Sequence, residues 1–174
     1  MMAIPKEKRL NDLRITFAKN RHSMGVYSFA GDPRSIQMWS HYAANHTGLC
    51  LQFDVARDPM KFLGAVRVHY EPDYPTVNWM VNIEEQLGDA LLRKHPGWTY
   101  EQERRIIKPN RAGSYEPFRP NALTGIIFGC RSSELLVETI RSLLDQRTKL
   151  GYSAVRMYKA RMHQSEYALQ IARM

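Results

Sequence analysis

Only two cysteines occur in 174 residues, and neither stands in a metal-ligand spacing. Cys50 and Cys130 both lie in strand-like apolar stretches and read as buried, reduced thiols, so no disulfide framework and no metal site are expected. Long hydrophobic runs are missing too: nothing approaches the roughly 20 apolar residues that cross a bilayer. The opening MMAIPKEKRL is charged and has no apolar signal core, which predicts a cytoplasmic protein with no membrane partner. The sequence contains no HExxH, no P-loop and no GxGxxG. It also has no nucleophile elbow. Zincin chemistry, P-loop phosphoryl transfer, Rossmann redox and Ser–His–Asp hydrolysis therefore have no support. There is no internal repeat and no low-complexity tract.

What is present is ordinary globular chain with a basic balance. Hydrophobic residues make up 44% and charged residues 24%, enough for a real core in a single domain over residues 1–174. The net charge is +8, which favours an anionic partner such as a nucleotide, nucleic acid or an acidic protein without choosing among them. The basic residues are dispersed over Lys6–Arg21, Arg104–Arg119 and Arg141–Arg161, as on a solvated surface.

Two periodicities meet in Met38–Asp54. Ile36, Trp39, Tyr42 and Ala43 recur at helical spacing, and Leu49, Leu51, Phe53 and Val55 alternate with polar positions as in a strand. Between them Asn45-His46-Thr47-Gly48 reads as a helix stop, with Gly48 free to take a positive φ. A short helix thus carries Trp39, His41, Tyr42 and His46 to the mouth of a strand, a density of imidazoles and aromatics beyond what a core needs.

The remaining pattern is mixed. Pro5–Arg21 predicts an amphipathic helix with Leu10, Leu13 and Phe17 on one stripe. Gly25–Ala30 predicts a strand, and Asp32 a cap for a helix starting at Pro33. Asp58–Leu63 predicts a helical turn, Ala65–Glu71 a strand, and Thr76–Lys94 a helix with Val77, Met80, Ile83, Leu87 and Leu91 inward. Leu123–Cys130 predicts a buried strand. Ser132 or Ser133 caps a helix to Leu150, closed by Gly151, with Leu135, Leu136, Ile140, Leu143 and Leu144 inward. Tyr152–Tyr158 and Tyr167–Ala172 predict a closing strand pair. Interleaving without strict alternation gives an α+β fold with a mixed, twisted sheet flanked by helices.

The second unusual stretch is Trp98–Arg105, WTYEQERR. Read as a strand, it sets Glu101, Glu103 and Arg105 on one face, with successive carboxylates about 7 Å apart. Such a pair can hold a ribose hydroxyl and polarise a nucleophile. It is equally a surface ion pair worth at most about 1 kcal/mol. His41 and His46 sit where a helix dipole favours imidazolium, or simply satisfy a neighbouring loop.

The segments GVYSFAGDPRSIQMWSHYAANHTGLCLQFD, VRVHYEPDYP, WTYEQERRII and FRPNALTGIIFG, in that order from Gly25 to Gly129, resemble a bacterial and phage family known as domain of unknown function number twenty-nine seventy-one. The resemblance defines a family-like core over about 25–129, followed by a C-terminal helix and strand pair over 132–174. Members of that family usually begin with a further Tyr-containing strand and turn. Nothing like it precedes Lys6–Arg21, which implies a shortened member.

More remotely, the layout resembles the ADP-ribosyltransferase fold, which binds NAD in the cleft of a split mixed sheet. That resemblance implies NAD as a substrate rather than a tightly held cofactor. Tyr42 would stack on nicotinamide, Glu103 would hold the ribose hydroxyl and stabilise an oxocarbenium-like state, and Glu101 would orient the acceptor. Trp39, His41, His46 and Arg105 complete the expected binding set. Two functions follow as expectations: an NAD-using transferase or glycohydrolase, or a non-catalytic basic module that binds nucleic acid or a protein partner.

Overall fold

A computed structural model describes residues 6–76, 78 and 83–174. In chain order the elements are α1 (Lys6–Ser23), β1 (Gly25–Phe29), α2 (Ile36–Tyr42), β2 (Leu49–Phe53), α3 (Pro59–Phe62), β3 (Val66–Arg67), β4 (His69–Tyr70), α4 (Ile83–Leu91), β5 (Arg93–Lys94), β6 (Arg104–Lys108), β7 (Leu123–Phe128), α5 (Glu134–Lys149), β8 (Arg156–Met162) and β9 (Leu169–Arg173). The fold is α+β. Among the described residues the strands are shared among three sheets rather than joined in one, with orders β1-β6-β3, β2-β7-β8-β9 and β4-β5.

The chain builds two compact units, each from two separate stretches: residues 1–29 with 64–116, and residues 30–63 with 117–174. In the first, β6 is the central strand of an antiparallel trio. Ser28 of β1 and Val66 of β3 both stand opposite Arg105. The short parallel pair β4-β5 sets Tyr70 beside Lys94. Leu87 of α4 is fully buried, as its inward position in the helical pattern requires. The expected helix Thr76–Lys94 is shorter. Its described part ends at Leu91, and Lys94 belongs to a strand; Val77 and Met80 lie outside the described residues. In α1, Phe17 is half-buried, and the side chains of Leu10 and Leu13 lie outside the described set, as does Pro5.

The second unit is a four-stranded sheet with a helix on each face. Alternation along β7 sends Ile127 to one side and Ile126 and Phe128 to the other. Ile127 joins Trp39 of α2, Ala160 and Leu169 in one cluster. Ile126 and Phe128 join Val137, Leu136, Ile140 and Leu144 of α5 in the other. Leu135 and Leu143, expected inward, are 72% and 53% exposed. The helix is rotated so that the i, i+1, i+4, i+8 set Leu136, Val137, Ile140 and Leu144 meets the sheet. Ser133 caps α5 by accepting from Leu136 N, and Gly151 follows with φ +83°.

Two local expectations change. The cap of α2 is Ser35, not Asp32, which accepts from Arg34 N and pairs with the Arg34 guanidinium. The final strands, expected over Tyr152–Tyr158 and Tyr167–Ala172, run instead over Arg156–Met162 and Leu169–Arg173, so Lys159 and Arg161 are strand residues. Pairing decides this: β8 lies parallel to β7 with Lys159 opposite Phe128, and antiparallel to β9 through Met162.

Candidate functional site

In the first unit the family-like carboxylates form a buried charge cluster. Glu101 ends a 3-10 turn spanning Pro96–Glu101, not a strand, and Gln102 follows with φ +46°. That left-handed residue swings the chain so that Glu103 enters β6 facing the same cation as Glu101. Lys94 Nζ donates to Glu101 Oε2 and, at 3.2 Å, to Glu103 Oε2. Arg105 holds Glu103 with both ends of its fork, Nε to Oε1 at 2.8 Å and Nη2 to Oε2 at 2.9 Å, and its Nη1 donates to Leu91 O. The Glu103 amide donates to the Tyr70 hydroxyl at 2.8 Å. The Lys94 ammonium also stands 4.8 Å from the Trp98 ring centroid, a cation–π contact.

Exposure decides how this cluster works. Glu101 and Glu103 are 2% and 6% exposed, so neither is a surface ion pair. Burial pushes the Glu103 carboxyl up, but hydrogen bonds from Arg105, Ser28 and Lys94 outweigh it and hold the group down at about 2. Lys94 is destabilised by burial, yet its bonds to Glu101 and Glu103 raise its pKa above the ordinary lysine value. Two carboxylates and two cations thus balance in a confined space. Lys94 and Tyr70 were not singled out in the sequence. Lys94 reads there as a helix end, and only the β4-β5 pairing turns it toward the glutamates.

The second unit holds Trp39, His41, Tyr42 and His46. Trp39 is a core residue, 3% exposed, and its indole N–H donates to Pro33 O at 2.7 Å. Tyr42 is 62% exposed and meets His41 edge-on, with centroids 6.3 Å apart. His46 Nε2 lies 3.0 Å from Ser40 Oγ, while its buried Nδ1 has no hydrogen-bond partner among the described residues. The turn carrying it is unusual. Ala44, Asn45 and His46 all have positive φ, at +47°, +51° and +69°, and Gly48 does not share that conformation. The turn docks on the start of the β7–α5 connection. Gly129 N donates to Gly48 O and Arg131 N to His46 O. A Cβ on Gly129 would sit 2.0 Å from His46 O, which is why that position has none. Left-handed backbone at a non-glycine residue costs about 1–3 kcal/mol, so this docking is over-determined by its surroundings.

The sequence-selected residues therefore divide: Glu101, Glu103 and Arg105 are drawn together in the first unit, and the other four lie in the second. Two concavities in the second unit are lined by none of them. One, of about 460 Å³, is lined by Asp58, Met60, Lys61, Phe118 and Arg119 among others. The other, of about 370 Å³, lies between α5 and β8.

Residues 38–106 match the family model described as Protein of unknown function (DUF2971). The chain resembles that family. The DUF2971-like segment runs from α2 into β6 and contains every residue the sequence singled out, in both units; β1 and the FRPNALTGIIFG stretch lie outside it. No curated protein and no solved structure matches the chain. Among the described residues no group of three or more His, Cys, Asp or Glu could hold a metal ion, and no helix is long and apolar enough to cross a membrane.

Proposed function

We propose that this protein is a basic binding module for nucleic acid rather than a carboxylate-driven, NAD-consuming transferase. The observation that carries the reading is a contrast in how charge is used. Glu103, which a transferase would need against the ribose, and Glu101, which it would need to orient the acceptor, are buried and occupied by Arg105 and Lys94. Arg131, Arg141, Lys149, Arg156, Arg161 and Arg173 of the second unit are exposed and have no carboxylate partner among the described residues. Unpaired cations on a surface attract phosphates and release condensed counterions when they bind.

The test is fluorescence anisotropy with a labelled single strand at increasing salt. Affinity should fall by about 0.7 log units per log unit of salt for each phosphate neutralised. A salt-independent signal, or none at low salt, overturns the reading. Nicotinamide release from NAD, abolished by Glu103→Gln in a chain that still folds, would establish the transferase instead.

A further inference from the structure

The β7–α5–β8 segment is a parallel strand–helix–strand crossover inside a sheet whose other pairings are antiparallel. In open α/β sheets, ligands bind in crevices outside the carboxyl ends of parallel strands. Here Lys159 stands opposite Phe128, the last residue of β7, and Arg161 lies one pleat further on the same face. Both therefore sit on the α5 side of the sheet, above the core made by Phe128 and Val137. The concavity there, about 370 Å³, is lined by Ser132, Lys159 and Arg161 and by Glu134, Glu138 and Arg141 of α5, with Val137 and Met174. That volume is in the range of small-ligand sites.

The lining is arranged, not merely charged. Lys159 Nζ donates to both the carbonyl and the hydroxyl of Ser132, which fixes the ammonium at the crevice. The side chains of Arg141 and Arg161 carry no ion pair and no hydrogen bond among the described residues, although Glu134 and Glu138 line the same space. Three cations and two carboxylates face one concavity, and among the described residues the arginines have no ion pair. A simple anion would use only the cations. A ligand with phosphates at one end and a vicinal diol at the other uses both, because carboxylates accept from sugar hydroxyls while Arg and Lys hold phosphate oxygens.

We propose that this crevice binds a nucleotide, with its phosphates on Lys159, Arg161 and Arg141 and its ribose hydroxyls on Glu134 and Glu138. The site is separate from the buried glutamate cluster and does not depend on nucleic-acid binding.

Calorimetric titration of the full chain with ADP, and separately with inorganic pyrophosphate, tests it. Both should bind. Arg161→Ala and Arg141→Ala should each weaken both ligands about tenfold or more, since each removes charge-assisted hydrogen bonds. Glu134→Gln combined with Glu138→Gln should weaken ADP while leaving pyrophosphate unchanged or tighter, because only ADP has the diol. All four side chains are exposed and have no ion pair among the described residues, so unchanged melting temperatures will show that the variants fold. Absence of ADP binding, or binding indifferent to Arg141 and Arg161, overturns the site. Loss of pyrophosphate in parallel with ADP in the glutamate variant overturns the assignment of the ribose end. A labelled strand measured beside these ligands separates the two conclusions. Strand binding without ADP binding removes the crevice alone, and ADP binding without strand binding removes the nucleic-acid reading alone.

Discussion

The two units of this chain bury different things. The second packs an apolar sheet between α2 and α5, with Phe128 at 0% exposure on one face and Trp39 at 3% on the other. The first buries Leu87 and Ile106 too, but it also takes two carboxylates out of water and neutralises them with Lys94 and Arg105. Apolar burial is favourable by itself and tolerant of conditions. Buried charge is tolerable only while every partner is present and ionised. The difference predicts that the second unit breaks through lost volume and the first through lost charge balance.

The largest effects should come from the two centres. Phe128→Ala opens a cavity between β7 and α5 and should cost about 3–5 kcal/mol, read from the shift of a urea midpoint. Arg105→Met keeps much of the side-chain volume but strands the Glu103 charge, and a loss of about 3–5 kcal/mol is expected by the same measurement. If Arg105→Met proves neutral while Phe128→Ala is severe, the glutamate cluster does not hold the first unit together.

Acid separates the units next. Glu103 has its folded pKa lowered to about 2, below the ordinary carboxylate value. A depressed acid contributes its stability fully above the unfolded pKa, and loses it as pH falls from about 4.5 through about 2. The span corresponds to roughly 3 kcal/mol. Hydrogen exchange at graded pH should therefore show amides of β1 and β6 losing protection before those of β7 and β8. Simultaneous loss, or Glu103→Gln leaving the acid limb unaltered, would contradict the comparison.

Smaller effects concern the turn. Gly129→Ala places a methyl group against the His46 carbonyl and should cost about 1–3 kcal/mol, with amide shifts at Gly48 and Arg131 in NMR spectra. The smallest change is Tyr42→Ala. Its ring is largely in water, so thermal stability should move by no more than about 0.5 kcal/mol. A larger loss would mean that Tyr42 is held by contacts beyond its ring pair with His41.

Much of this was legible in the chain. Period 3.6 marked α2 and α5 and period 2 marked β2, because one-sided burial forces those spacings on a sequence, while a continuous apolar run marked β7, which is buried on both faces. Ser133 and Gly151 marked the ends of α5, because orphaned backbone groups need a hydroxyl at one end and a left-handed residue at the other. The density of aromatic, imidazole and carboxylate side chains around His46 and Glu103 was legible as well, and the DUF2971 match covers both. What those residues touch was not. That Glu103 is buried, that Lys94 serves two carboxylates, and that Ala44 rather than Gly48 turns left-handed depend on partners far away in sequence. Nor does any local pattern show that Lys159 and Arg161 belong to a strand facing α5. Propensity and periodicity act over a few residues, whereas pairing of β4 with β5 and of β7 with β8 joins segments separated by whole elements. Only that pairing decides which charges are neutralised in the interior and which are left facing solvent.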